Sequence, residues 1–278
     1  VLTPSAFDIW QIILEWAPIE LAESWDNCGL QVGDPGDKVR GILLALDPSE
    51  DLLQDAVQKG ANMVITHHPL IFKPILSLDI SYSKTRLLAG FLHSGINLYA
   101  AHTNLDSAAG GVSDVLMKKL GILNAQPLVS NTKAGTGLGR IGLLQKAITM
   151  KEMVQRILDA TSAPGIWAAG RPEMLVQKVA LCSGSGSDLW PVAVQHDADI
   201  FISAEIKHHI AREAQAMGKA VVDAGHFFTE HPVIEEMGNV LKKAVQERAW
   251  DIAIHIHRES PPVELYTRSL YQGKEPSA

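Results

Sequence analysis

Three observations predict an α/β protein built from two similar subdomains related by an internal repeat, with a dinuclear metal site between them. Helix and strand signals alternate along the chain at the spacing of βαβ units. Segments of the second half repeat those of the first in the same order. Imidazoles and carboxylates stand at the ends of corresponding apolar runs, where open α/β sheets place their ligands. We assign residues 1–130 to a first subdomain, carrying His67, His68, His102 and Asp106, and residues 131–278 to a second, carrying His226 and Glu230. Sheet elements are expected to interleave near the termini, with the boundary in the Gly-rich stretch Asn131–Gly142 or in Ser162–Gly165.

The elements follow in order. Thr3 before Pro4, with Phe7, Trp10, Ile13 and Leu14 at helical spacing, predicts a first helix capped by Thr3 with proline at its first position. Trp25-Asp-Asn-Cys-Gly-Leu-Gln-Val-Gly33 mixes glycine and asparagine with apolar residues and reads as a loop, leading through Asp34-Pro-Gly36 to a strand over 41–46. Residues 51–59 suit a helix, 63–66 a buried strand, 84–94 a helix and 97–101 a strand, so the sheet should be largely parallel.

The repeat is visible within the chain. Ala45-Leu-Asp-Pro-Ser-Glu-Asp-Leu-Leu-Gln-Asp-Ala-Val-Gln58 returns as residues 180–195, with two extra residues in the turn, and Met63-Val-Ile-Thr66 returns as Ile200-Phe-Ile-Ser203. His102-x-x-x-Asp106 matches His226-x-x-x-Glu230 at an offset of 124 residues. Ala204-Glu205 occupy the places of His67-His68, so the second half lacks the paired imidazoles.

Composition excludes several classes. At 278 residues and 46% hydrophobic content the chain can bury a substantial core. A formal charge of -7 without a Lys/Arg block argues against a nucleic-acid partner. Cys28 and Cys182 form no CxxC pair and read as small buried hydrophobes. No apolar stretch reaches the length of a membrane span, and Val1-Leu-Thr-Pro-Ser5 lacks a basic region followed by a hydrophobic one. We expect a cytoplasmic protein with no membrane partner.

His67 and His68 end the run Val64-Ile-Thr-His-His-Pro-Leu70, and adjacent imidazoles there are rarely a packing solution. On a strand they would face opposite ways, but before Pro69 the backbone can turn and offer one imidazole to each ion. Imidazole with carboxylate suits zinc, iron, manganese or nickel, and the absence of a nearby thiolate motif argues against an iron–sulfur site.

Four motifs in this order, Trp25–Gly33, Ile65-Thr-His-His-Pro-Leu70, Ala101-His-Thr-Asn-Leu-Asp106 followed by Gly110-Gly111, and Gly225-His-Phe-Phe-Thr-Glu230, resemble the Nif-three-like dinuclear metal family. Its members are often named GTP cyclohydrolase I type-two homologues. The resemblance implies His67, His68, Asp106, His226 and Glu230 as ligands of two divalent ions, with Glu230 able to bridge. It implies a toroidal homohexamer, and a small-molecule substrate such as a nucleotide. Only 70 residues, 107–176, separate the Asp106 motif from the second half, so the extra domain of longer members is absent. His102, outside that ligand pattern, is expected to orient a ligand or shuttle a proton.

Two classes of function fit. The first is a metal-dependent hydrolase of a nucleotide or related phosphorylated heterocycle, acting through metal-activated water; the second is a non-catalytic metal-binding or storage assembly, or a regulatory interaction scaffold. Other motifs are weaker. Gly137-Leu-Gly-Arg-Ile-Gly142 matches a dinucleotide fingerprint but follows no strand and opens no helix, so it reads as a turn entering a strand. Ser183-Gly-Ser-Gly-Ser187 fits an anion-binding nest and a flexible βα turn equally. Lys207-His208-His209 reads as a solvated helix face, with substrate phosphate as the alternative, and Ile252, Ile254 and Ile256 as a half-buried strand with exposed histidines.

Overall fold

The computed structural model describes residues 3–266. The first helix, α1 (Ala6–Trp16), is capped by Ser5 and not by Thr3. The reason is a capping box: Asp8 donates its backbone N–H to Ser5 Oγ at 3.2 Å, and its carboxylate accepts from Ser5 N at 2.7 Å. Ile9, Trp10, Ile12 and Ile13 form the buried face, while Phe7 points outward. The segment read as a loop contains β1 (Gly29–Val32), followed by β2 (Gly41–Ala45) and α2 (Glu50–Lys59). Ser49 caps α2, and Gly60 closes it in the left-handed region.

Then come β3 (Met63–Thr66), α3 (Ser83–Ser94), β4 (Asn97–Ala100), the short α4 (Thr103–Ser107) and α5 (Val112–Lys119). Every residue of β2, β3 and β4 is buried, as parallel strands covered on both faces require. β5 (Leu123–Ser130) and β6 (Gly137–Thr149) form a long hairpin. Gly137 is the first residue of β6, so the glycine-rich motif enters a strand. The second half continues with α6 (Met150–Thr161), β7 (Trp167–Ala169), β8 (Leu175–Leu181), α7 (Trp190–Gln195), β9 (Ile200–Ser203) and α8 (His208–Ala216). It ends with β10 (Ala220–Asp223), α9 (His226–Glu230), α10 (Pro232–Glu247) and β11 (Ala253–Ile256).

Two sheets result, in the orders β1-β4-β3-β2-β11 and β5-β6-β8-β9-β10-β7. In the first, β4, β3, β2 and β11 are parallel and β1 runs antiparallel at the edge. The first is thus largely parallel, as its helix–strand spacing predicts, whereas the second is mixed: only β8, β9 and β10 run together, and β5, β6 and β7 oppose a neighbour. A short hairpin connection between β5 and β6 permits no parallel pairing. The repeat is nonetheless structural, because β2-β3-β4 with edge strand β1 corresponds to β8-β9-β10 with edge strand β7.

The halves also exchange their closing helices. Leu116 and Met117 of α5 lie in the core of the second sheet, whereas Val233, Ile234, Met237 and Leu241 of α10 lie in that of the first. The sheets therefore do not divide the chain at residue 130: β5 belongs to the second sheet and β11 to the first. The residues that follow β3, β4 and β10 come close together, as the contacts of His67, His68, His102 and His226 show. No helix among the described residues is long and apolar enough to cross a membrane.

Candidate metal centre

Beyond β3 the ladder to β2 persists for two residues: His67 donates its backbone N–H to Ala45 O at 3.2 Å and His68 to Leu46 O at 2.9 Å. The two rings nonetheless reach the same site, with centroids 4.9 Å apart and planes inclined by 50°. His102 begins the turn after β4, and His226 opens α9 with Glu230 one turn further on. His102 packs edge-on against His67 and His68, and His226 against His68.

Each of the four histidines has an acceptor at Nδ1. His67 faces Ala101 O at 2.8 Å, His68 faces Asp47 Oδ1 at 2.7 Å, His102 faces Asp26 Oδ1 at 2.9 Å and His226 faces Glu205 Oε1 at 3.0 Å. With Nδ1 engaged by an oxygen, Nε2 is the nitrogen each ring has left for the centre, the arrangement metal-ligating histidines adopt. His68 Nε2 and His226 Nε2 lie 3.1 and 3.0 Å from Glu230 Oε2. His67 Nε2 lies 3.7 Å from Asp106 Oδ1 and 3.9 Å from Glu230 Oε1.

The arrangement passes a direct test of fit. His67 Nε2 is buried without a hydrogen-bond partner, while Glu230 Oε2 has His68 Nε2 and His226 Nε2 beside it. Buried polar atoms are rarely left as His67 Nε2 is, and a cation between it and the carboxylates would satisfy it. Three trios bring their ligand atoms within 4.8 Å of one another: His67, His68 and His102; His68, His226 and Glu230; His67, Asp106 and Glu230. The sequence-predicted residues thus come together, and Glu230 belongs to two of the trios. Gly184 makes room for it, since a Cβ there would sit 2.0 Å from Glu230 Oε1.

The protonation pattern is that of a site waiting for positive charge. Burial pushes His67 down to about 3, which keeps it neutral. Burial also lowers His68, but the Asp47 and Glu230 carboxylates outweigh it and hold the ring up at about 10. The Glu230 carboxylate likewise holds His226 up at about 9, against burial. Glu230 itself, despite burial, is kept well below the usual carboxylate range by His226 and His68. Burial and the Glu230 charge raise Asp106.

A metal taken up by His68 and His226 would therefore displace protons. Calorimetry at pH 7 in buffers of different ionisation enthalpy should show proton release, with His68 and His226 contributing, and affinity climbing as pH rises toward 9–10. Uptake without proton release would mean that these two rings are not ligands.

Sequence reasoning passed over Asp26, Asp47 and Glu205, the carboxylates that orient three of the rings. Asp47 closes the first copy of the repeat where the second has Cys182, and Glu205 takes the place of His68, so the repeat itself held the signal. Asp26 has no exposed side-chain surface and also accepts from Thr103 N at 3.1 Å and from Cys28 Sγ at 3.0 Å. The two cysteines are free and partly buried: Cys182 packs against an apolar core cluster as expected, whereas Cys28 donates to the Asp26 carboxylate. The nest reading of residues 183–187 is also corrected. The backbone N–H groups of Ser183, Gly184 and Gly186 already donate to Ser113 Oγ, Thr229 Oγ1 and Ser203 Oγ at 3.2, 3.0 and 3.0 Å. Lys207, His208 and His209 are exposed, and Lys207 pairs with Asp188.

Two repeated α/β halves that gather histidines and buried carboxylates at their strand ends define a protein with a candidate metal site. The sequence profile of the DUF34/NIF3 (NGG1p interacting factor 3) family matches residues 5–262, and the chain belongs to that family. Among relatives named GTP cyclohydrolase 1 type 2 homolog, that of Streptomyces coelicolor is 36% identical over 247 residues, 87% of each chain. That of Clostridium acetobutylicum is 34% identical over 242 residues, 86% of this chain and 90% of the relative. The crystal structure of a Bacillus cereus protein related to NIF3 superposes with a TM-score of 0.89 over 96% of this chain and 100% of that one. At 23% identity that likeness establishes the fold alone.

Proposed function

We propose that the chain is a dinuclear metal-dependent hydrolase of a nucleotide or related phosphorylated heterocycle. The observation that carries this reading is the set of Nε2 atoms aimed at Glu230 and Asp106, with His67 Nε2 left unpartnered. His67, Asp106 and Glu230 would hold one divalent ion and His68, His226 and Glu230 a second, with Glu230 as the bridge. His102 has its own carboxylate partner, as His68 and His226 do, and joins a trio. We therefore assign it a sixth ligand position in place of the shuttle role.

Nitrogen and oxygen donors suit zinc, iron, manganese or nickel. Cys182 lines the adjoining cavity, but burial pushes its thiol up to about 12 and leaves it a poor competitor for such ions. Metal held there would supply Lewis acidity and lower the pKa of water. The protein's own contribution is orientation: Asp26, Asp47 and Glu205 fix three rings, and Gly184 admits Glu230. A cavity of about 550 Å³ beside His68, His102, Asp106 and Glu230 is large enough for a nucleotide-sized ligand. The relatives' name points to a GTP-like substrate. A cytoplasmic homohexamer belongs to the same reading.

One observation favours a non-catalytic metal-binding or storage role, or a scaffold for regulatory partners: three amides of the 183–187 turn, those of Ser183, Gly184 and Gly186, already donate to side-chain hydroxyls, which weakens it as a phosphate cradle. A screen of nucleotides and phosphoesters with and without chelator decides between the two. Asp106→Asn should lower turnover by more than the roughly 10–100-fold typical of losing an outer partner, with the fold intact. Turnover that survives both this substitution and exhaustive chelation would overturn the hydrolase reading.

A further inference from the structure

We propose that Trp25 and Phe72, already in contact with each other, form a one-sided aromatic clamp, a surface on which the planar heteroaromatic ring of the substrate stacks, an inference that rests on the hydrolase reading above. Trp25 is 56% exposed and Phe72 43% exposed, so neither serves the core. Scattered exposed apolar residues are ordinary, but these two touch each other with ring centroids 5.6 Å apart. Both also stand beside a candidate ligand, at 6.2 and 6.4 Å from the His102 ring, and both line the cavity that reaches Asp106 and Glu230.

The backbone under each ring is pinned by one polar network. Next to Trp25, the buried Asp26 carboxylate is held by His102, Thr103 and Cys28. Next to Phe72, Ile71 donates its N–H to Gln31 Oε1 at 3.0 Å, and its carbonyl accepts from Asn27 Nδ2 at 2.6 Å. Gln31 Nε2 in turn donates to Asn27 O at 2.7 Å, which joins the two segments. Two exposed rings on a braced support are prepared for a ligand, because their ordering cost is met before binding. Every nucleobase has a π-face, and stacking on an aromatic side chain contributes about 1–3 kcal/mol per base, equivalent to roughly 5–150-fold in affinity. A ring stacked there leaves the polar part of the same molecule beside His68, His102, Asp106 and Glu230.

The test is calorimetric titration of the metal-loaded protein with GMP and with ribose 5-phosphate, which lacks the ring. GMP should bind at least about tenfold more tightly, and Trp25→Ala and Phe72→Ala should each weaken GMP by about tenfold without changing ribose 5-phosphate binding or metal content. Trp25→Phe should retain most of the affinity. Equal affinity for the two probes, no binding of GMP, or wild-type GMP affinity in both alanine variants would overturn the clamp. So would variants that change only the assembly size in light scattering, since the rings would then serve a subunit contact. The two readings fail separately: GMP binding without turnover removes the hydrolase and leaves the clamp, whereas turnover indifferent to Trp25 and Phe72 does the reverse.

Discussion

Glu230→Gln is expected to strip both metal positions, taking the protein from about two divalent ions per chain to almost none after dialysis. Glu230 is the one carboxylate that serves both proposed ions, it is 4% exposed, and its charge faces His67, His68 and His226. Glutamine keeps the shape and removes the charge, and metal affinity follows ligand charge and number. His102→Ala and His226→Ala should each lower metal content to a similar degree, because both present Nε2 to the centre from a carboxylate-anchored ring. Elemental analysis is the measurement. Two ions retained in Glu230→Gln would sink the dinuclear assignment. Metal retained in His102→Ala with turnover lost would return that residue to the shuttle role.

Arg140→Met should destabilise the fold by about 3–5 kcal/mol, the cost of breaking a buried ion pair from one side. Arg140 is 1% exposed, and its guanidinium donates to the carbonyls of Gly137, Gly139 and Ala108 at 2.6, 2.8 and 2.7 Å. It also lies 2.8 Å from Asp114 Oδ2, which in turn accepts from Gly110 N at 2.7 Å. One side chain thus ties the start of β6, in the second sheet, to the turn that follows Asp106 in the first half. Methionine would leave three buried carbonyls and a carboxylate without that donor. Denaturant unfolding measures the loss, and a change below about 1 kcal/mol would show that water or a rearranged donor replaces the guanidinium.

Much of the architecture was legible because its determinants are local. The apolar runs 63–66 and 200–203, and the amphipathic 51–59 between its serine cap and Gly60, carry their conformations in side-chain period and capping chemistry. Internal duplication made His102-x-x-x-Asp106 and His226-x-x-x-Glu230 conspicuous, and the family resemblance of the motifs named the candidate ligands without coordinates. Even the first helix was placed, although its cap was misread: Thr3-Pro4 and Ser5 are competing starts, and only the reciprocal bond from Asp8 selects the second.

Tertiary structure decided what depends on partners distant in the chain. β1 is a strand because it pairs with β4, and its four residues, opening on Gly29 and without alternating burial, gave a periodic reading nothing to act on. The exchange of α5 and α10 between the sheets is a choice between two equally apolar surfaces, and hydrophobicity alone is non-directional. The serine–glycine turn has the composition of an anion nest, but hydroxyls of Ser113, Thr229 and Ser203 had already claimed its amides. Asp26 reaches His102 across 76 positions, and Asp47 and Glu205 each reach a histidine across 21. The residue types able to bind metal are thus determined by the sequence alone. Which imidazole nitrogen faces the centre is set by carboxylates that only the folded chain brings within hydrogen-bond distance.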